Sequence, residues 1–188
     1  MKFTTPLVLL AAMSGARSLV IERDASAVKK VIDDISGGVS SLGQAAQSWN
    51  GSDIQPVLAP VENLIRLIQH GQAVVDGVDS VGYGGTMSLF PAVRNLDKEI
   101  NHNFDTFRGR VGHVQKAKAC DTVHEKLATV STIGIGLIDA ILGKVSSLAK
   151  SLAGRHTDHI KKMLLDAQGL FAQTNCVNER DAGAIMMI

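Results

Sequence analysis

The 188-residue chain carries 19 Lys and Arg against 18 Asp and Glu, a formal net charge of +1. This balance leaves no basic surface for nucleic acid and no polybasic segment for anionic membranes, so we predict that the chain binds no nucleic acid. Hydrophobic residues make up 45% of the chain but aromatic residues only 4%. An interior built from Val, Leu, Ile and Ala, with few large rings, is easier to leave partly unfilled.

The first residues of the chain are typical of an export signal. Lys2 supplies a positive charge, and the apolar stretch 6–13 that follows is too short to span a bilayer. Small residues at Ser14, Ala16 and Ser18 then offer cleavage sites. The sequence therefore predicts a secreted, extracellular protein, although an uncleaved N-terminal core helix is the alternative.

Removal of this signal would leave about 170 residues, which suit a single domain with a sizeable core. We predict a signal peptide at residues 1–18, a helical-bundle domain at 19–176 and a flexible C-terminal tail at 177–188.

Apolar residues after the signal recur at alternating steps of three and four, the spacing of one helix face. The first such stripe predicts a helix over about residues 25–48, with Asp24 or Ser26 as its N-cap. Gly37 and Gly38 weaken this helix by about 1 kcal/mol each relative to Ala, a cost that is tolerated where another element packs closely.

The second stripe predicts a helix over about residues 53–77, in which Pro60 lies one turn in and should cause a kink. A glycine-rich stretch predicts a loop over about 77–85. A third helix should follow this loop and end between Gly109 and Gly112.

Two further stripes predict helices over about residues 113–145 and 148–174. Five amphipathic helices with short connections predict an all-α fold, an antiparallel five-helix bundle.

The chain has two cysteines, and an exported protein is expected to oxidise them. If Cys120 and Cys176 form a disulfide, the two arms of the last helical hairpin must be nearly equal in length. Their midpoint predicts a turn at residues 146–147. Two free, buried thiols are the alternative.

The motifs that suggest chemistry all have simpler explanations. Residues 134–136, Gly-Ile-Gly, lack the third glycine of a phosphate-binding loop. Close packing of helices is the simpler explanation for the two glycines that are present. His156 and His159 offer two metal donors without a second pair at recognised spacing. Carboxylates such as Asp97 are expected to be ordinary solvated charges. We therefore predict no catalytic residues, no metal, no cofactor and no enzyme activity.

Asn50 begins the sequon Asn-Gly-Ser in the first interhelix loop. Export would make Asn50 available for glycosylation, and a plain Asn-Gly turn is the alternative.

The apolar faces of the helices are the remaining candidate for a functional site. By default they bury against each other, but many near-inward Gly and Ala residues and the expected kinks favour a gap between helices. An alkyl chain gains about 0.8 kcal/mol for each buried methylene, so even a featureless tunnel binds one. The candidate lining residues are Ile35, Val39, Leu42, Leu64, Ile68, Phe90, Val93, Ile100, Leu137 and Ile141.

Several apolar segments of this chain stand in an order known from one protein family. They are Val31-Ile32, Asp34-Ile35-Ser36, Val39 and Leu42, then Trp49-Asn50-Gly51, Leu64 to Gly71, and Leu137 to Val145. In this order and over nearly all of the mature chain, the sequence resembles the fungal hydrophobic surface-binding protein A family, which includes cell-wall galactomannoproteins. Two departures concern wall attachment: Val145 is followed by serines where relatives often have a proline, and a long Ser/Thr-rich stalk is absent.

The resemblance implies a secreted bundle that adsorbs to hydrophobic surfaces and, in some relatives, encloses a fatty acid. The implied partners are a fatty acid or other lipid, hydrophobic surfaces, cell-wall polysaccharide and secreted hydrolases. Our first hypothesis is a protein that binds fatty acids or similar lipids in an apolar cavity between helices. The alternative is a surface-active cell-wall coat protein that adsorbs to hydrophobic surfaces and recruits hydrolases, without an internal ligand.

Overall fold

The computed structural model describes residues 6–179, and the side chains among them from residue 23 onward, with residues 148 and 149 excepted. This part of the chain forms five α-helices and no β-strand, which confirms the predicted all-α fold. The helices are α1 (Pro6–Ser48), α2 (Gln55–Asp76), α3 (Tyr83–Lys116), α4 (Cys120–Lys144) and α5 (Ser147–Leu170).

The five helices are arranged as a closed ring. α1 packs against α2 and α3, α2 packs against α4, and α5 packs against both α4 and α3, whereas α3 and α4 meet only marginally across the ring. Each helix therefore directs one apolar face inward, as its stripe predicts. A ring of five helices leaves central space that side chains must fill, so this arrangement already favours an internal cavity.

The N-terminal end of α1 differs from the prediction. A helix was expected to start near residue 25, but α1 begins at Pro6 and continues to Ser48, so that Asp24 and Ser26 lie inside the helix and are not N-caps. The physical reason is that no proline interrupts residues 7–55, and the segment before residue 25 is rich in helix-forming Ala and Leu. The predicted signal peptide stays a prediction, and its residues 1–5 lie outside the described residues.

The predicted bounds of the third and fourth helices are wrong. α3 starts at Tyr83, inside the expected loop, and runs through Gly109 and Gly112 to Lys116. A Cβ added at either glycine would contact nothing within 4 Å, so these residues cost only helix propensity. Burial of Val114 holds the last turns of the helix in place.

α4 consequently begins at Cys120, not near residue 113. The two helices are separated by a short turn in which Lys118 has a φ of 54°, in the left-handed region. The last connection lies one residue before the predicted turn at 146–147, because α4 ends at Lys144 and α5 begins at Ser147. α5 ends at Leu170, four residues before the predicted end.

Cys120 and Cys176 form a disulfide that ties the start of α4 to the segment after α5, with 5.6 Å between their Cα atoms. The backbone N–H of Cys120 also donates to Asn178 Oδ1 at 3.0 Å, and the N–H of Glu179 donates to the Gln115 carbonyl at 3.1 Å. Residues 177–179 of the predicted tail are therefore held against the bundle. The rest of that tail, residues 180–188, lies outside the described residues.

Two glycines of α1 provide a matched pair for a stability measurement. A Cβ added at Gly37 would meet nothing within 4 Å, whereas one added at Gly43 would stand 1.7 Å from Asn103 Oδ1. We expect Gly37→Ala to raise the free energy of unfolding by about 0.5–1 kcal/mol through helix propensity. Gly43→Ala should lower it, because either Asn103 must turn away and lose its hydrogen bond to the Val39 carbonyl or α1 and α3 must separate locally. Chemical denaturation of both variants gives the two signs, and equal effects would contradict this account.

Candidate functional site

A cavity of about 110 Å³ lies inside the ring and is lined by residues from all five helices. Its walls are almost entirely aliphatic or aromatic. The lining comprises Ile32, Ile35, Val39, Leu42, Leu64, Ile68, Leu96, Ile100, Asn103, Phe104, Phe107, Leu127, Val130, Ser131, Gly134, Leu137, Ile138, Ile141, Ile160, Met163, Leu164 and Ala167.

A second apolar cavity of about 70 Å³ adjoins the first, between α3 and the α4–α5 hairpin. Five side chains belong to the walls of both cavities and form the partition between them. These partition residues are Ile32, Leu96, Ile138, Ile141 and Ile160.

The ten residues that were predicted from the sequence to line a cavity all lie on the wall of one or both cavities. Phe90 and Val93 line the smaller cavity, Ile141 lines both, and the remaining seven line the larger one. Their contact with a ligand stays a prediction. The nominated set omitted α5, whose stripe contributes Ile160, Met163, Leu164 and Ala167.

Asn103 and Ser131 are the polar residues in the wall of the larger cavity, and no charged side chain lines either cavity. Asn103 Nδ2 donates to the Val39 carbonyl at 2.6 Å, and Ser131 Oγ donates to the Leu164 carbonyl at 2.9 Å. Both side chains are buried, with 4% and 2% of their surface exposed. Asn103 was not among the predicted lining residues, although its position between Ile100 and Phe107 on an apolar stripe was a signal.

Asp97 is not the ordinary solvated charge that the sequence predicted, since only 16% of its side chain is exposed. Its Oδ2 lies 2.9 Å from His156 Nδ1 and its Oδ1 lies 2.7 Å from His159 Nδ1. These contacts join α3 to α5 beside two partition residues, Leu96 and Ile160. Within residues 6–179, no cluster of three or more His, Cys, Asp or Glu side chains is placed to hold a metal ion.

The pKa of Asp97 reflects two opposing effects. Desolvation raises this pKa, but hydrogen bonds and positive charge from His159 and His156 outweigh desolvation and lower the pKa below its usual value. The folded state therefore binds this proton more weakly than the unfolded state does. The resulting contribution to the free energy of unfolding is fully present at pH values above the usual pKa of a carboxyl group, and it is lost as the pH falls through the lowered pKa of Asp97.

We accordingly expect Asp97→Asn to flatten the acid limb of the stability profile. The difference in unfolding free energy between the wild-type protein and this variant should shrink as the pH falls through the lowered pKa. Asp105→Asn is the matched control, since Asp105 lies on the same helix with 77% of its side chain exposed. Thermal unfolding from pH 7 to pH 2 measures both, and parallel profiles for the two variants would contradict the role of Asp97.

α4 is long and apolar enough to cross a membrane by length and composition alone. In the bundle, Leu127, Val130 and Leu137 of this helix are buried. Ile138 and Ile141 are only half-buried, and both line the cavities. The interior of the bundle thus accounts for part of the apolar character of α4.

Asn50 lies exposed in the connection after α1. Its Oδ1 accepts hydrogen bonds from Ser52 N at 3.1 Å and from Ser52 Oγ at 2.6 Å. The sequon is therefore accessible, and glycosylation at Asn50 stays a prediction.

A ring of five amphipathic helices around two adjoining apolar cavities defines a helical-bundle domain with an apolar interior. Residues 25–143 match the model of the family described as hydrophobic surface binding protein A. The chain belongs to this family, which confirms the resemblance seen in its sequence.

The chain is also similar to individual proteins. Cell wall mannoprotein 1 of Aspergillus fumigatus is 31% identical over an alignment of 168 residues that covers 86% of this chain. The chain spans 58% of the length of that relative.

Two solved structures share the fold. Ligand binding domain 1 of the Penicillium marneffei MP1 protein, complexed with arachidonic acids, has a TM-score of 0.76 and 17% identity over 79% of this chain and 99% of its own. Afmp4p in complex with palmitic acid has a TM-score of 0.73 and 18% identity over the same shares of the two chains.

Proposed function

We propose that this protein is a secreted carrier of fatty acids or similar lipids, which holds an alkyl chain between its helices. The observation that carries the proposal is the apolar interior lined from all five helices. The solved relatives of the same fold, which hold arachidonic or palmitic acid, give it further support.

The energetics of the interior suit an alkyl chain. Each methylene that is buried contributes about 0.8 kcal/mol to the binding free energy, and the methylene groups of an alkyl chain need no hydrogen-bond partner. Ligand pockets typically enclose about 300–1,000 Å³, so uptake of a long chain requires the two cavities to join and widen. Movement of the partition residues would join the cavities of about 110 and 70 Å³, and the helices must also move apart to reach the volume of a long chain.

The walls also suggest where an ionised headgroup lies. A carboxylate buried without a counter-charge is strongly disfavoured, and no Lys, Arg or His lines either cavity. The carboxylate of a bound fatty acid therefore stays at the rim of the bundle, with its chain inside.

The proposal is tested by titrating delipidated protein with palmitic acid and by native mass spectrometry of gently purified protein. We expect a bound fatty acid in the second experiment and micromolar or tighter affinity in the first. Failure of palmitic acid and other long-chain lipids to bind at micromolar concentrations would remove the proposal.

The proposed location and processing follow from the same features. A signal at 1–18, a domain at 19–176 and a tail at 177–188 fit export, as do the disulfide and the cell-wall name of the relative. Because the interior is apolar and its few polar side chains bond to backbone carbonyls, we propose that the protein carries out binding and no enzymatic reaction.

Adsorption to hydrophobic surfaces is a second candidate function, favoured by the description of the family. Tyr83, Met87 and Leu152 are exposed apolar side chains near the N-terminal ends of α3 and α5. In this function the helices open on the surface, where the protein recruits hydrolases or contacts wall polysaccharide. An added cross-link between α3 and α5 should then abolish adsorption to hydrophobic beads while leaving lipid uptake intact.

A further inference from the structure

The wall of the larger cavity reaches the protein surface along α3. The apolar residues that α3 contributes to this wall, Leu96, Ile100, Phe104 and Phe107, are all half-buried. The wall residues from α1 and α2 are instead all buried, and α4 and α5 contribute residues of both kinds. A side chain that faces the cavity and is also reached by solvent marks the rim. The rim of the larger cavity therefore runs along α3.

Arg108 is a cation at this rim. Its guanidinium carbon lies 4.7 Å from the centroid of the Phe104 ring, and Phe104 lines the larger cavity. Arg108 follows Asp97 by eleven residues, which is about three turns of helix, so both residues lie on the same side of α3. Asp97 contacts α5 from that side. Arg108 therefore lies at the rim on the side of α3 that faces α5.

The N–H donors of Arg108 are not used by the protein itself. Arg108 donates no hydrogen bond to another described residue, and its ion pair with Asp105 Oδ1 spans 4.0 Å between two exposed side chains. Such a pair contributes little. Arg110, two residues later, donates instead to the backbone carbonyl groups of Gln47 and Trp49. An unpaired guanidinium offers a planar fork of N–H donors, which matches the two oxygens of a carboxylate.

Building on the proposed carrier function, we propose that Arg108 binds the carboxylate of a long-chain fatty acid whose alkyl chain enters the larger cavity past Phe104. The carboxylate requires a counter-charge outside the apolar interior. Among the described residues, Arg108 is the cation whose charged group lies over an aromatic side chain of the wall. This ring contact holds the guanidinium at the rim. The site thereby favours an ionised fatty acid over a neutral lipid of the same chain length.

The test measures binding of palmitic acid and of 1-hexadecanol to delipidated protein at about pH 8, by displacement of the neutral dye Nile red. The two lipids have the same chain length, but only the acid is charged at this pH. Arg108→Gln should weaken binding of palmitic acid roughly three- to tenfold and leave binding of hexadecanol unchanged. Since the charge pair forms at the exposed rim, the difference between the two proteins should shrink at high salt.

Arg94→Gln is the matched control. Arg94 is also exposed on α3, and it lies about 21 Å earlier along the helix. This substitution removes the same charge and should leave both affinities unchanged. With 63% of the Arg108 side chain exposed, Arg108→Gln should keep the fold intact. The inference is overturned if Arg108→Gln leaves binding of palmitic acid unchanged, if it weakens hexadecanol equally, or if Arg94→Gln causes the same loss.

The outcomes also separate this inference from the function on which it rests. If palmitic acid binds the wild-type protein and Arg108→Gln as tightly, the carrier function stands and only the assignment of Arg108 fails. If hexadecanol binds and palmitic acid does not, the assignment fails as well. If neither lipid binds, the proposed carrier function fails, and the inference falls with it.

Discussion

Gly134→Leu should abolish most lipid binding without unfolding the protein. Gly134 lies on α4 in the wall of the larger cavity, and a Cβ added there meets only Leu164 Cδ1, at 3.3 Å. The rest of a leucine side chain would therefore extend into the space proposed for the ligand. Excluding about four methylenes of a bound chain removes about 3 kcal/mol, or roughly a hundredfold in the Kd for palmitic acid.

Gly136→Leu on the same helix is the matched control for this prediction. Gly136 is exposed, an added Cβ would contact nothing within 4 Å, and the residue lines neither cavity. Both substitutions replace a helical glycine and gain up to about 1 kcal/mol of helix propensity. At position 134 this gain offsets the cost of shifting Leu164 Cδ1, so the melting temperature should change little in either variant. Titration with palmitic acid should show a loss of affinity at position 134 only. Equal affinities for the two variants would place the ligand elsewhere.

The inward faces of the helices could be predicted from the sequence because burial is periodic along a helix. Ile35, Val39 and Leu42 recur every three or four residues, and this spacing fixes the face on which they lie irrespective of the partner helix. The order of helices around the ring is not contained in that pattern. The pattern therefore also does not tell whether the core is filled or encloses a cavity.

Contacts between distant residues were also beyond prediction. Asp97 meets His156 and His159 from positions 59 and 62 residues away, so no local pattern links them. Asn103 and Gly43 likewise come together only because α1 and α3 are neighbours.

The predicted bounds of α3 and α4 were wrong for a different reason. Propensity makes Gly109 and Gly112 weak breaks, and the burial of Val114 beyond them outweighs this cost. The disulfide hypothesis succeeded in placing the α4–α5 turn because it adds a distance constraint that propensity lacks.

Removal of the disulfide should cause the largest loss of stability of any change considered for this protein. Cys120 and Cys176 are 56 residues apart in sequence, and closing a loop of that length restricts the unfolded chain by about 4 kcal/mol in the chain-entropy account. Replacing both residues with alanine should lower the free energy of unfolding by about that amount. For a domain of this size the melting temperature should fall by about 10 °C.

Reduction provides the internal control for this prediction, because a reductant should destabilise the wild-type protein to a similar extent and leave the double variant unchanged. Neither cysteine lines a cavity. The affinity for palmitic acid at 25 °C should therefore stay close to that of the wild-type protein as long as the variant is folded. A double variant as stable as the wild-type protein would show that contacts of residues 177–179 already hold this end of the bundle. A stable variant with lost affinity would instead mean that the disulfide shapes the cavity. Burial of an alkyl chain depends on the positions of α4 and α5 in the folded protein, whereas restriction of the unfolded chain changes stability alone.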